Sequence, residues 1–208
     1  MSLVVNIIIV IVGYLLGSIP MGLLAVRITT GRDVRNIGSG RIGGTNVMRA
    51  AGPWIALASG LGDVAKGFLA VLLARTYGGA PIVEALAGVA AVLGHNYSIF
   101  IGFRGGAGTA PTLGSAFGLW PGYGILLLVV GAIVIVVTRY ASLGSIVAAL
   151  LLPILILLRI WRVSEPWAYL VYGIAVPALT LWALRPNIKR LLAGEERRVK
   201  WRKTVEDS

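Results

Sequence analysis

Long apolar runs separated by short polar stretches make up most of this chain, and seven of these runs are candidate membrane-spanning helices. A helix needs about 20 apolar residues to cross a bilayer, although a tilted or buried one can be shorter. The fourth run is marginal, because it has only twelve residues. The runs cover residues 3–26, 51–75, 80–101, 109–120, 122–138, 141–160 and 167–184. The pattern predicts an all-α integral membrane protein, a seven-transmembrane-helix bundle with short or re-entrant segments.

The composition excludes a soluble protein. Of the 208 residues, 57% are hydrophobic and only 13% are charged, whereas soluble domains carry about 25% charged residues. The first apolar run lacks a basic segment before it and a cleavage site after it, and it is too long for a signal peptide. We interpret it as the first span. Gly17, Ser18 and Pro20 near its end predict a kink that leans the following loop inward.

The net charge of +11 is better explained by membrane topology than by nucleic-acid binding, because the basic residues lie in short loops between apolar runs. With the N-terminus outside, fifteen Lys and Arg residues lie on the cytoplasmic side and three lie outside. A six-span arrangement would separate the first loop from the chain end, and it is disfavoured. We therefore expect a multi-pass protein of the cell inner (plasma) membrane. Residues 1–184 form its catalytic bundle and residues 185–208 a basic amphipathic cytoplasmic tail.

The first loop, RNIGSGRIGGTNVMR at residues 35–49, is the most distinctive polar stretch. Its four glycines let backbone N–H groups turn inward and approach an anion, and its arginines add donors that suit phosphate or carboxylate. No position in it resembles a buried core. The alternative interpretation is a flexible, positively charged connector.

A second polar stretch, GHNYSIFIGFRGGAG at residues 94–108, holds another glycine-rich turn beside a cation. It is short enough to fold back as a re-entrant segment, so the two glycine-rich turns can meet on the cytoplasmic face and hold two anionic groups. Neither turn has the GxxxxGK[ST] spacing, which argues against a nucleoside triphosphatase.

Few side chains in the sequence could act as a general base, a buried charge or a metal ligand. His95 is the only histidine and therefore the only conventional general base, although a histidine at a helix end can also simply cap carbonyls. Asp63 and Lys66 lie three residues apart on one helical face, which favours a structural charge pair over a catalytic role for Asp63. The chain has no cysteine, so disulfides are excluded, and one histidine cannot form a multi-histidine metal site.

Four motifs, GSGRIGGTNVMRAAG, DVAKG, GHNYSIFIGFRGGAG and RPNIKRLLAGEE, follow one another along the chain. In order and spacing they resemble the PlsY family, the bacterial membrane glycerol-3-phosphate acyltransferases that use acyl phosphate. The resemblance implies a seven-helix membrane bundle that moves a fatty acyl group from acyl phosphate to the 1-hydroxyl of glycerol 3-phosphate, giving lysophosphatidate. It also implies no metal and no nucleotide cofactor. The position of the basic residues in short loops argues against nucleic acid as a partner, and we expect membrane lipids around the protein and an upstream enzyme that forms acyl phosphate.

The resemblance, together with the polar residues near its motifs, implies catalytic roles for Ser39 and His95 and substrate binding by a larger set. That set is Arg41, Thr45, Asn46, Arg49, Arg104, Gly105, Gly106, Gly108 and Asn187.

The chain departs from the family pattern at four positions. Arg41 replaces an asparagine, Ser98 a proline, Ala107 the second lysine of FKGGKG, and Leu184 the histidine of HRxNI. Losing a lysine and a histidine weakens an anion site unless another group compensates, and Arg41 is a candidate. Two alternatives stay open. One is a catalytically altered or silent homologue; the other is a small anion permease, against which the featureless fifth and sixth runs argue.

Overall fold

The computed structural model describes residues 2–199, and within that range the chain forms helices and loops without a β-strand. Three 3-10 helices lie at Val34–Asn36, Ile99–Ile101 and Trp167–Tyr169. The α-helices in the described range are α1 (Leu3–Ser18), α2 (Met21–Thr30), α3 (Gly44–Ala51), α4 (Pro53–Tyr77), α5 (Pro81–Asn96), α6 (Thr109–Leu119), α7 (Pro121–Thr138), α8 (Ala141–Val163) and α9 (Leu170–Leu192).

Six helical stretches in the described chain are long and apolar enough to cross a membrane, which confirms the predicted membrane bundle. They are Leu3–Thr30, Pro53–Tyr77, Pro81–Ile101, Pro121–Thr138, Ala141–Val163 and Trp167–Leu192. The fourth predicted span is α6, whose 11 residues extend only about 16 Å. The last helix continues past Leu184 to Leu192, so it includes the first residues of the predicted tail. Residues 200–208 of that tail lie outside the described range.

α1 and α2 are separated by the predicted kink. α1 ends at Ser18 and α2 begins at Met21, with Pro20 between them. Gly17 lets α1 approach α5 so closely that a Cβ at this position would overlap the carbonyl oxygen of Ala91. At the break, the carbonyl of Ile19 accepts a hydrogen bond of 2.9 Å from Lys66 Nζ. The kink therefore provides an acceptor for a lysine inside the bundle.

One end of the bundle is closed by a cluster around Glu84. Arg75 at the end of α4 forms a 2.9 Å ion pair with Glu84 near the start of α5, and it donates to the carbonyl of Leu119 at the end of α6. The Tyr169 hydroxyl donates to the same carboxylate at 3.1 Å. α6 starts behind Gly108 at the opposite end of the bundle and finishes beside this cluster at Leu119. It therefore runs from one end toward the other although it is short.

The first loop and α3 lie at the other end, which we call the loop end. Val34, Ile42 and Val47 are 0% exposed and pack with Leu23 and Val26 of α2. The prediction that no position in residues 35–49 belongs to a core was therefore wrong, because the loop has a small apolar core of its own. The sequence does not indicate Ile42 as a core residue, because it is an isolated apolar residue flanked by glycines and an arginine.

Candidate functional site

A cavity of about 280 Å³ opens at the loop end of the bundle. Ser39 from the first loop, His95 from α5 and Asn187 from α9 all line it, so the two glycine-rich polar stretches and the motif RPNIKRLLAGEE converge here. From the first loop and α3 the lining also includes Arg41, Gly43, Gly44, Thr45, Asn46 and Arg49, and from later segments Asp63, Ala107, Gly108, Ser142, Leu184, Arg190, Glu196 and Arg197.

Asn46 organises the first loop. The two hydrogens of its Nδ2 are shared among the carbonyls of Val34, Ile37 and Arg41, which lie at 2.8 to 2.9 Å, and its Oδ1 accepts a hydrogen bond from the backbone N–H of Ser39. The residue is 2% exposed. Although Asn46 borders the cavity, its polar atoms are occupied by the loop. Asn46 therefore fixes the conformation of the loop and positions Ser39.

Arg41 joins the first loop to α9. Its guanidinium donates to Asn187 Oδ1 at 2.9 Å and also to the carbonyl of Ala183. Burial, reinforced by the positive charge of Arg190, lowers the pKa of Arg41. Arginine nevertheless stays protonated in proteins, so a charged fork lies beside the buried Leu184.

Glu196 connects α9, α8 and the chain that follows α9. Its Oε1 accepts hydrogen bonds from Asn187 Nδ2 at 2.7 Å and from Ser142 Oγ at 3.0 Å, and its Oε2 accepts one from Arg190 Nε at 2.8 Å. Sequence reasoning missed Ser142, Arg190 and Glu196 as lining residues. The motif RPNIKRLLAGEE contained two of them, whereas Ser142 lies at the start of an apolar run without any local signal.

The cavity is positively charged. Four arginines line it, at positions 41, 49, 190 and 197, against the carboxylates of Glu196 and Asp63. Asp63 is balanced by Lys66, whose ammonium lies 2.8 Å away. Burial lowers the pKa of Arg49, and the neighbouring Arg197 lowers it further. An anion that enters the cavity therefore meets several cations that are already partly desolvated.

Two helix N-termini add to this field. α3 begins behind Gly43 and α6 behind Gly108, and in neither case does a side chain cap the first turn. Gly44, Thr45, Thr109 and Ala110 in these first turns line the cavity. The first N–H groups of a helix have no partner within the helix, and they favour anions.

Most of the second glycine-rich turn packs against His95, and only its last part lines the cavity. The backbone N–H groups of Gly105 and Gly106 donate to the carbonyls of Asn96 and His95, which confirms that the chain folds back after α5. A Cβ at Gly106 would overlap the imidazole ring. Gly108 lines the cavity, but Arg104, Gly105 and Gly106 are not among its lining residues.

His95 is buried with the predicted charge pair. Its Nδ1 lies 2.9 Å from Lys66 Nζ and 3.3 Å from Asp63 Oδ1, and all three side chains are at most 4% exposed. Lys66 and Asp63 form an ion pair by distance, but the contact lacks the angles of a hydrogen bond to Oδ1. The pairing predicted from the sequence is thus present, with His95 as a third member.

An apolar cleft of about 110 Å³ continues from the cavity between α6, α7 and α8. Thr109, Leu113, Ile135 and Ser145 line both spaces. The far part of the cleft is lined by Leu127, Gly131, Ala132 and Ala148. A molecule with an anionic head and a hydrocarbon chain therefore finds matching surfaces in the two spaces.

Comparison with known proteins places this architecture in a family. The family model described as glycerol-3-phosphate acyltransferase matches residues 7–194. A glycerol-3-phosphate acyltransferase of Syntrophomonas wolfei is 43% identical over 187 residues, which is 89% of this chain and 93% of that protein. Its counterpart in Rubrobacter xylanophilus is 41% identical over 193 residues, covering 93% and 94% of the two chains.

A solved structure agrees with these relatives. The crystal structure of PlsY (YgiH), an integral membrane glycerol 3-phosphate acyltransferase in its glycerol 3-phosphate form, matches with a TM-score of 0.84 and 37% identity over 94% of this chain and 96% of that one. The lysophosphatidic acid form matches with a TM-score of 0.80 and 36% identity, over 93% and 94% of the two chains. The chain therefore belongs to the glycerol-3-phosphate acyltransferase family of integral membrane enzymes.

Proposed function

We propose that this protein transfers a fatty acyl group from acyl phosphate to the 1-hydroxyl of glycerol 3-phosphate, giving lysophosphatidate and inorganic phosphate. The observation that carries the proposal is the convergence of Ser39, His95 and Asn187 on one arginine-lined cavity that continues into an apolar cleft. Both substrates carry phosphate, and only the donor carries a long hydrocarbon chain. The arginine-lined cavity suits the phosphate groups of both substrates, and the apolar cleft suits the hydrocarbon chain of the donor.

The acceptor occupies the cavity in this scheme. Arg49 and the first turn of α3 bind its phosphate, because guanidinium forks and free helix N–H groups both suit phosphate oxygens. Thr45, in that turn, and Ser39, in the loop before it, orient the glycerol hydroxyls. Asn46 contributes indirectly, since its amide is committed to the loop.

The donor spans the cavity and the cleft. Its acyl chain lies between α6 and α7, and its phosphate faces Gly108 and Thr109 at the N-terminus of α6. The acceptor hydroxyl attacks the acyl carbonyl carbon, a new ester C–O bond forms, and the bond between that carbon and the phosphate oxygen breaks. The hydroxyl proton ends on the released phosphate. Because acyl phosphate is already activated, the protein mainly aligns the two groups and stabilises the developing negative charge.

Arg41 supplies the positive charge that Ala107 and Leu184 do not. Both of these residues line the cavity, and the Arg41 guanidinium reaches α9 next to Leu184. We infer that Arg41 both contacts a substrate phosphate and holds Asn187. Activity therefore persists without the lysine and histidine of the family pattern.

We further propose that the loop end faces the cytoplasm, with the N-terminus outside and the protein in the inner membrane. Among the described Lys and Arg residues, only Arg75, Arg159 and Arg162, near the ends of α4 and α8, lie at the opposite end, which fits the positive-inside rule. Glycerol 3-phosphate then enters from the cytoplasm, and an upstream enzyme supplies acyl phosphate from the same side. Residues 185–208 form a basic segment that binds anionic headgroups.

The test is an assay of the purified full chain with palmitoyl phosphate and glycerol 3-phosphate, which should release lysophosphatidate and phosphate in equal amounts. Ser39→Ala should lower activity strongly. Arg32→Ala is the matched control, because it removes an exposed cation that lies just before the first loop and outside the cavity lining. An inactive parent would support a silent homologue, and anion flux in proteoliposomes without acyl product would support a permease.

A further inference from the structure

Lys66 lies at the centre of a buried cluster below the cavity. Its Nζ is 2.9 Å from the carbonyl oxygen of Ile19, 2.9 Å from Nδ1 of His95 and 2.8 Å from Oδ1 of Asp63. Lys66 is 4% exposed and His95 is 3% exposed. The ammonium group is thus surrounded by three electron-rich atoms from α4, α5 and the break after α1.

These contacts determine which nitrogen of His95 carries the proton. When Lys66 is charged, its ammonium group has three donors and no acceptor, so Nδ1 at 2.9 Å from Nζ is the acceptor of this contact. The imidazole proton is then on Nε2. The opposite tautomer would direct an Nδ1–H toward Asp63 Oδ1, which is farther away at 3.3 Å, and would place this N–H against the lysine donors.

The other edge of the ring, at Nε2, has no hydrogen-bond partner in the described chain. In the described chain His95 makes its side-chain hydrogen bond through Nδ1 only. The Nε2 edge lies against Gly106, where a Cβ would overlap this nitrogen. The next residues, Ala107 and Gly108, line the cavity together with His95. Gly106 therefore leaves room for Nε2–H to act toward the cavity.

We propose that Lys66 is a positioning residue that fixes His95 as the neutral Nε2–H tautomer. His95 then donates a hydrogen bond to an oxygen of the acyl phosphate, instead of serving as the general base that the sequence predicted. This role depends on the proposed acyl transfer for its substrate. Because Lys66 and Asp63 balance each other, the cluster presents a neutral donor inside a water-poor environment, where such a donor stabilises developing negative charge effectively.

The single histidine makes the tautomer directly measurable. The full chain has one His among 208 residues, so labelling histidine with ¹⁵N gives the NMR signals of one imidazole. In lipid nanodiscs at neutral pH, we expect a protonated Nε2 and an unprotonated Nδ1. A proton on Nδ1 with a bare Nε2, or a doubly protonated ring, would overturn the proposal and restore His95 as a candidate base.

The Lys66→Met variant tests the positioning role. Without the ammonium donor, the Nδ1–H form facing Asp63 should become populated, and kcat should fall by up to about 100- to 1,000-fold, the loss that follows removal of one such donor, with a smaller change in KM for glycerol 3-phosphate. Lys189→Met, which removes an exposed lysine on α9, is the control and should leave both imidazole signals unchanged. A folded Lys66→Met protein with the parent tautomer contradicts the proposal.

The spectrum of the parent protein requires neither turnover nor a variant. If Lys66→Met does not fold, the parent spectrum alone decides. An inactive protein with an Nε2–H signal would refute the proposed reaction and leave the role of Lys66 standing, whereas an active protein with an Nδ1–H signal would do the reverse.

Discussion

The guanidinium of Arg41 donates to Oδ1 of Asn187 at 2.9 Å, although 146 positions separate the two residues in the chain. Asn187 in turn donates to Glu196, which also accepts from Ser142. The first loop, α9 and α8 are therefore connected through one continuous set of hydrogen bonds along a wall of the cavity. Such a set is sensitive to the loss of any member, since the groups left behind are partly buried.

We expect Arg41→Ala to lower kcat/KM about 10- to 100-fold, because a hydrogen bond involving a charged group contributes about 1.5 to 3 kcal/mol. Arg41→Lys should recover only part of the loss, since an ammonium cannot reproduce the planar fork that reaches two acceptors. Steady-state kinetics with both substrates varied would measure this. Equal kinetics for Arg41→Ala and Arg32→Ala would show that Arg41 has no part in the reaction.

The sequence predicts the spans and their order well, because bilayer thickness sets the length of a span at about 20 residues and the hydrophobicity of each run depends only on local composition. It also indicates that the polar segments meet, through the positive-inside count and the family motifs. It does not indicate which polar groups are used in hydrogen bonds within the protein and which remain available to a ligand. Gly106 uses its N–H on a carbonyl eleven positions earlier, and such pairings follow from the three-dimensional path of the chain.

Asn46 shows the same limit and provides a second prediction. The carbonyls of Val34, Ile37 and Arg41 depend on its amide, so Asn46→Ala should destabilise the protein by about 2 to 4 kcal/mol. Asn46→Asp is the matched change, because it keeps the shape but removes the donors, and it should be at least as harmful. Thermal unfolding and protease cleavage between residues 35 and 45 would measure the effect. If Asn46→Asp has the parent's stability but loses activity, the residue binds substrate directly.

Ala107 allows a test of how well the cavity tolerates the loss of the family lysine. Ala107→Lys adds a cation to the cavity lining, and we expect kcat/KM to rise by up to about 10-fold, limited by repulsion from the arginines already present. Ala107→Met controls for side-chain length without charge and should not raise activity. A gain confined to Ala107→Lys in an otherwise inactive protein would identify the natural chain as a silent homologue.

The apolar cleft provides a test of how the length of the acyl chain is selected. Gly131 on α7 lines the cleft, and a Cβ there would have nothing closer than 3.6 Å, so the fold accepts a side chain at this position. Gly131→Leu should project into the cleft and lower kcat/KM for palmitoyl phosphate about 10-fold relative to decanoyl phosphate, because the longer chain loses buried CH₂ groups at about 0.8 kcal/mol each. Gly122→Leu, on the same helix where a Cβ meets open space, should leave the ratio unchanged. If Gly131→Leu slows both donors equally, the acyl chain lies elsewhere and the cleft is only a packing gap between α6, α7 and α8.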